Sequence, residues 1–225
     1  MSVLVLDTAA RFCSACLYDP AADAIRAARE EEIGRGHAER LMGVVADVMD
    51  EAGAGFGDLT GLTVTIGPGS FTGIRVGVAA ARGIAVARNL PVTGVTTLES
   101  LAVQATNETR VEGPFAVLIA GGRGQIFMQH FSAAGEALDE ARAMAEDEAD
   151  KHLRPDCALL VGDAAAGMET DLPTTVDRPV GTIGAVARAA RLFEHAPSPL
   201  YLRGADAKPQ TGFALPRRSD GEDAA

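Results

Sequence analysis

Thr65-Ile66-Gly67-Pro68-Gly69-Ser70-Phe71-Thr72-Gly73-Ile74-Arg75-Val76-Gly77 is the stretch on which the reading of this chain turns. An apolar, β-branched run over residues 62–66 stops at Gly67-Pro68-Gly69, and a helical pattern then runs from residue 73 to about 89. The sequence therefore spells strand, tight loop, helix. Pro68 fixes φ, the glycines supply backbone conformations that larger residues avoid, and Ser70 and Thr72 are placed to cap the free N–H groups of the helix. A helix start of this kind attracts anions. Its spacing nevertheless matches no phosphate or nucleophile motif. No Lys follows Gly73 as a Walker loop requires, and Gly69 and Gly73 enclose three residues where a dinucleotide fingerprint has two. Pro68 and Thr72 stand where a G-x-S-x-G elbow needs glycine. As a bare pattern, the stretch is a tight strand-to-helix connection.

The 225 residues suit one large domain or two small ones, and 47% hydrophobic content is ample for a packed core. With 31 acidic against 20 basic residues, the net charge of −11 opposes binding to a phosphate backbone, so any nucleic acid the chain serves is expected to be held by a partner. The absence of a bilayer-length apolar run and of a basic leader with a cleavage site leads to the expectation of a cytoplasmic protein with no membrane association. Three cysteines, an odd number, argue against a disulfide framework. Cys13-Ser14-Ala15-Cys16 matches C-x-x-C, but residues 12–18 read as a strand, where positions three apart face opposite sides. The two thiols are then unable to meet, and all three cysteines read as buried and structural.

In chain order, residues 3–6 form a buried strand ending in Asp7, residues 12–18 return after a short turn, and residues 24–33 add a third, more polar strand. Residues 37–53 form a helix, with Leu41, Val44, Val45, Val48, Met49 and Ala52 at helical spacing and Gly53 at the C-terminal cap. After the central loop and its helix, residues 91–95 read as a strand and residues 98–106 as a capped helix. The polar stretch 107–114 is the best domain boundary. Strands then follow at 115–120 and 125–131 around a hairpin turn, Gly121-Gly122-Arg123-Gly124. The pattern next predicts an acidic helix over 144–153, a strand over 157–162 and a last helix over 182–195. The tail from Pro209 is expected to be disordered beyond Pro216.

The helix after the central loop is apolar on two sides. Ile74, Val78, Ala81 and Ala85 suit the core of their own domain, while Val76, Ala79, Ala80, Gly83 and Ala87 form a second face of small or apolar residues where a surface helix should be charged. Small residues let another helix approach closely, so this face is expected to be covered, either within the chain or by a partner subunit. Arg75 and Arg82, on a third edge, are placed to pair with acidic groups of that partner. Met42, Gly43 and Ala46 form a weaker shoulder on the preceding helix that completes a four-helix contact.

Several blocks carry a family likeness: Asp7-Thr8-Ala9 with Cys13-Ser14-Ala15, His37-Ala38-Glu39-Arg40-Leu41, the segment from Gly67 to Arg75, Gly94-Val95-Thr96-Thr97-Leu98-Glu99-Ser100-Leu101, and Pro199-Leu200-Tyr201-Leu202-Arg203 with Asp206-Ala207. Together they resemble the TsaB (YeaZ) family over most of residues 1–105 and a short C-terminal motif. The resemblance implies an α/β protein with two RNase H-like lobes of the actin-like/Hsp70-like ATPase fold. The expected division is residues 1–106 as the lobe carrying the dimerisation helices, 107–208 as a smaller divergent lobe, and 209–225 as a tail. It further implies a non-catalytic, dimerising partner of the catalytic subunit TsaD, with the ATPase TsaE joining them. The modification they form is N6-threonylcarbamoyladenosine at position 37 of tRNAs that read codons beginning with A, and tRNA would be met only through the complex.

The residues agree with a scaffold rather than a catalyst. The related catalytic subunit holds its metal with two His at i and i+4 on a helix, and here His37 is followed at that spacing by Leu41, which cannot ligate. His130, His152 and His195 are scattered along the chain, so no catalytic or metal residues are expected. Active members of the fold place glycines after the first-strand Asp, whereas Asp7 is followed by Thr8-Ala9-Ala10-Arg11. Asp7, Thr8, Gly67, Gly69 and Ser70 thus form at most a vestigial nucleotide site. Nothing is expected to bind tightly, with ATP or ADP and Mg²⁺ entering only in the assembled complex. Where many family members carry an Asp-Ala-Arg-Arg-Gly-Glu-Val-Tyr-like stretch, residues 120–127 keep only Arg123 and Gly124. The rival functions are an autonomous ATPase or sugar-kinase-like enzyme, a metallopeptidase, for which the metal pair is missing, and a generic interaction module.

Overall fold

The computed structural model describes residues 1–202, so Arg203, Asp206-Ala207 and the tail from Pro209 lie outside the described residues. The chain opens with an antiparallel meander of β1 (Val3–Asp7), β2 (Phe12–Asp19) and β3 (Ala24–Glu32). α1 (His37–Glu51) follows, then β4 (Gly61–Thr65), α2 (Phe71–Arg88), β5 (Val92–Val95) and α3 (Thr97–Glu108). β4 runs parallel to β1 and β5 parallel to β4, giving a five-stranded sheet in the order β3-β2-β1-β4-β5.

The second half repeats this wiring. β6 (Phe115–Gly122), β7 (Gln125–Phe131) and β8 (Arg142–Ala145) form an antiparallel meander, and β9 (Leu159–Val161) and β10 (Thr174–Thr175) extend it in parallel. The order β10-β9-β6-β7-β8 is that of the first sheet, strand for strand. The helices differ. Where the first half has α1 and α2, the second has only 3-10 turns at Glu146–His152 and Ala165–Gly167, before the short α4 (Ile183–Ala189).

Burial periodicity explains the long helices. In α1, Leu41, Val44, Val45, Val48 and Met49 are buried along one face, and Gly53 (φ 60°) turns the chain out. In α2, Ile74, Val78, Ala81 and Ala85 face the same core, and Ser70 caps the helix by accepting the Gly73 N–H at 3.2 Å. α3 starts with a reciprocal capping box: Thr96 Oγ1 accepts from Glu99 N–H (3.1 Å), and a Glu99 carboxylate oxygen accepts from Thr96 N–H (2.8 Å).

Packing does not follow the chain. α3 comes from the first half yet packs on the second sheet, joining Leu98, Leu101, Ala102 and Ala105 to Phe115, Val117, Phe127 and Phe131. α4 comes from the second half yet packs on the first sheet, where Ile183, Val186 and Ala187 meet Val5, Cys16 and Tyr18. The two helices also touch each other, forming the wedge between the sheets.

Two sequence-based expectations are corrected. Residues 144–153 are not an acidic helix: Met144 pairs with Ile126 in the sheet, and the like charges Glu146, Asp147 and Glu148 are carried in a 3-10 turn. The last helix stops at Ala189 rather than reaching His195, because Phe193 turns in against Phe131 and His195 pairs with the backbone of Gly94. The hairpin turn tightens to Arg123-Gly124, both at positive φ (56° and 70°), as a two-residue connection requires. The two-residue β10 was not visible in the sequence pattern.

Thr96→Ala removes the oxygen that caps α3 at a buried helix start. It should lower the denaturant midpoint by the equivalent of about 1 kcal/mol with an unchanged m-value, measured by urea unfolding.

Candidate functional site

The loop between β4 and α2 lies directly on the turn after β1. Ser70 N–H donates to the Ala9 carbonyl and Thr8 Oγ1 donates to the Gly73 carbonyl, each at 2.7 Å. A Cβ at Gly69 would overlap the Ala9 carbonyl, and one at Gly73 the Thr8 carbonyl. The glycines are therefore the means by which two backbones reach hydrogen-bonding distance. From the other side, Thr97 N–H and Oγ1 donate to the carbonyls of Gly67 (2.8 Å) and Pro68 (2.7 Å), and Leu200 N–H donates to the Ile66 carbonyl (2.8 Å).

The fold thus brings together Asp7, Thr8, Gly67, Gly69 and Ser70, and their groups are largely spent on neighbouring backbone. Asp7 is buried, and its Oδ1 accepts the Ala9 N–H at 2.8 Å. Burial pushes its carboxyl up to about 6, with the Ala9 hydrogen bond opposing the rise. The carbonyls of Thr8 and Ala9 fill the space in front of the glycines, and carbonyl oxygens repel phosphate. Beside this loop a cleft of about 340 Å³ opens between the sheets, lined by Ala9, Arg11 and Ser70 on one wall, Ile119 and Phe127 on the other, and Pro179 at the crossing.

The outward face of α2 is uncovered by the described residues. Ala79, Gly83 and Ala87 are exposed, Val76 and Ala80 are half-buried, and Val86, which the sequence reading left out, is 84% exposed in line with Ala79 and Gly83. On α1, Met42 and Ala46 are exposed and Gly43 is half-buried. Of the two covers left open by the sequence, the chain's own second half is therefore excluded for residues 1–202. Arg82 is exposed, whereas Arg75 is already engaged. Its Nε donates to the Tyr201 hydroxyl (2.7 Å), and its guanidinium lies 3.7 Å from the centre of the Phe71 ring. Tyr201 is 126 residues away in sequence, and no local pattern could have linked it to Arg75.

His37 Nε2 lies 3.1 Å from the Phe12 carbonyl, while Leu41 sits in the core. Among the described residues no three His, Cys, Asp or Glu side chains converge on one point. Cys13 and Cys16 face opposite sides of β2, one in the core beneath α1 and α2 and the other beneath α4. Burial pushes the Cys13 thiol up to about 11 and raises those of Cys16 and Cys157, so none is a ready nucleophile.

A match to the TsaD family, described as tRNA N6-adenosine threonylcarbamoyltransferase, spans residues 30–205. The chain belongs to the TsaD family. Within it, the likeness is to the TsaB (YeaZ) type. The tRNA threonylcarbamoyladenosine biosynthesis protein TsaB of Escherichia coli is 37% identical over 102 residues, 45% of this chain and 43% of that protein. A tRNA N6-adenosine threonylcarbamoyltransferase of Ruegeria pomeroyi is 30% identical over 196 residues, 72% of this chain and 53% of the transferase. The chain thus spans about half or less of the length of these curated relatives. Among solved structures, YeaZ from Pseudomonas aeruginosa superposes with a TM-score of 0.76 at 25% identity, covering 89% of this chain and 99% of that one. The two like-ordered sheets of this TsaD-family protein are arranged as in that YeaZ structure. No helix among the described residues is long and apolar enough to cross a membrane.

Two outcomes follow from the packing at this site. Because the folded state holds the Asp7 proton up to about pH 6 while an unfolded Asp loses it near 3.8, stability should fall as pH rises from about 4 to about 6. The loss is of the order of 2–3 kcal/mol, from about 1.4 kcal/mol per pKa unit. Asp7→Asn should flatten that slope and unfold at equal or higher denaturant than wild type above pH 6. Gly73→Ala, which forces a methyl into the Thr8 carbonyl, should destabilise by about 3 kcal/mol or more despite the better helix propensity of Ala, read by thermal or urea unfolding.

Proposed function

We propose that this chain is the non-catalytic, TsaB-like subunit of a complex that transfers a threonylcarbamoyl group to N6 of adenosine 37 in tRNAs reading A-starting codons. It would act by docking a TsaD-like catalytic subunit, with a TsaE-like ATPase completing the assembly. The observation that carries this reading is the outward face of α2, where Ala79, Gly83, Val86 and Ala87 stand exposed, with Met42 and Ala46 also exposed on α1. An exposed apolar face on a well-packed helix is a surface built for another subunit, and its small side chains favour a closely approaching helix. The same face would serve a homodimer, in competition with the TsaD-like partner. Arg82 is left to meet acidic groups at the edge, with Arg75 contributing through its remaining guanidinium nitrogens.

Family membership supports the pathway, and the residues support the division of labour. His37 and Leu41 supply no pair of metal ligands, and the central loop donates its Ser70 N–H to the Ala9 carbonyl. In this reading ATP or ADP and Mg²⁺ belong to the assembled complex, and tRNA, which an acidic chain attracts poorly, is held by the catalytic subunit.

Ala79→Glu and Gly83→Glu should each abolish both homodimerisation and capture of the TsaD-like subunit, a loss of at least a hundredfold in affinity, while circular dichroism and melting stay near wild type. Sedimentation and pull-down read the first, and reconstituted threonylcarbamoyladenosine formation with and without the chain reads the second. Modification that proceeds equally without the chain would overturn the proposal.

A further inference from the structure

The chain passes between the two sheets twice, through residues 109–114 and 176–182, and the return passage is tied to both sides. The Arg178 carbonyl accepts the Asp163 N–H (3.2 Å) on the second-sheet side, while Arg178 Nη2 reaches across to Glu30 on β3 (3.3 Å). The same Glu30 oxygen accepts the Ile183 N–H at 2.9 Å, where α4 begins. Between these points Gly181 N–H donates to Ser100 Oγ (3.2 Å) and Thr182 N–H to Gln104 Oε1 (2.8 Å), both on α3. The Arg178 guanidinium also lies 5.0 Å from the centre of the Phe12 ring.

A hinge is a short segment that can change its backbone angles without losing hydrogen bonds or packing. Here the opposite holds. The amides of Gly181, Thr182 and Ile183 are matched in succession to side chains on α3 and β3. A Cβ at Gly181 would stand 2.8 Å from the Ser100 carbonyl oxygen, so the passage is also packed tightly against α3. The helices bounding the two passages touch each other through Val103 and Ala189, which share a core with Val95. Turning one sheet against the other would break these bonds together and leave the Glu30 carboxylate, at 28% side-chain exposure, short of both partners.

We infer that Glu30 and Arg178 form a strut that fixes the angle between the two sheets, so that the cleft beside Pro179 keeps a single width and the chain moves as one rigid body. This does not rest on the proposed function, and it would hold for a scaffold of any partner. Rigidity suits a docking subunit, because a preorganised surface loses little entropy on association.

Spin labels on Asp50→Cys in the first half and Asp171→Cys in the second, both exposed, give an interlobe distance by pulsed electron resonance; the three native cysteines are buried and thus shielded from labelling. The otherwise wild-type chain should give one narrow distance peak. Glu30→Gln and Arg178→Gln should each at least double its width or add a second peak. Amide exchange at Gly181, Thr182 and Ile183 should quicken about tenfold in Glu30→Gln. Glu30→Asp, which keeps the charge but shortens the reach, should fall between, and it stands in if the other variants fail to fold. A broad distribution in the otherwise wild-type chain would overturn the rigid-body inference. Narrow, unshifted peaks with unchanged exchange in the folded variants would overturn the strut.

Discussion

The architecture of the first lobe depends on two stretches of backbone meeting without side chains between them. Thr8 and Ala9, at the end of β1, and Gly69 to Gly73, at the head of α2, approach closely enough to hydrogen-bond only because the second stretch has no Cβ at the points of contact. That contact sets the entry of α2 against the sheet. Ile74, Val78, Ala81 and Ala85 then have to face inward, and the stripe from Ala79 to Ala87 has to face out. The same contact occupies the Ser70 N–H and the Gly73 carbonyl. One steric allowance therefore orients the outward helix face.

The second lobe copies the strand order of the first but not its cladding. The first sheet is covered by α1 and α2 on one side and by α4 on the other. The second has α3 on one side, while its other side rests on Ala149, Cys157, Ala165 and residues of the short turns, with Leu153 and Met168 packed alongside. Exchange of α3 and α4 compensates for this asymmetry. Each sheet takes a helix from the other half of the chain, so neither half buries its apolar surface without the other.

Elements whose pattern is local were legible in the sequence. The cap at Ser70, the buried row of α1, the box at Thr96 and Glu99, and the opposite facing of Cys13 and Cys16 all depend on residues a few positions apart. Contacts that decide matters at long range were not legible. The acidic run after Ala145 reads as a helix until Met144 is seen to pair with Ile126, and the last helix reads as long until His195 is seen beside Gly94. The duplication escaped notice because the halves share a wiring order, which strand lengths and side chains do not spell out. At the candidate site, the family blocks singled out the loop after β4, but the contact its glycines make with Thr8 and Ala9 spans about 60 residues and has no local pattern. Arg75 was read as free for a partner because Tyr201 is invisible from its neighbourhood.

The antiparallel bridge between His195 and Gly94 has a bearing on how this molecule can meet others. With N–H to carbonyl distances of 2.8 and 3.1 Å, it occupies the outer rim of β5 at Gly94. At the opposite rim, β3 carries Arg26, Arg29, Glu30, Glu31 and Glu32, a density of charge that discourages a neighbouring strand. In the second sheet the rims are β8 and β10, only four and two residues long. Ladder extension is thereby hindered at both rims of the main sheet and finds only short rims on the smaller one. Such rims favour recognition through side chains, which can be selective, over main-chain amides, which would accept almost any extended peptide.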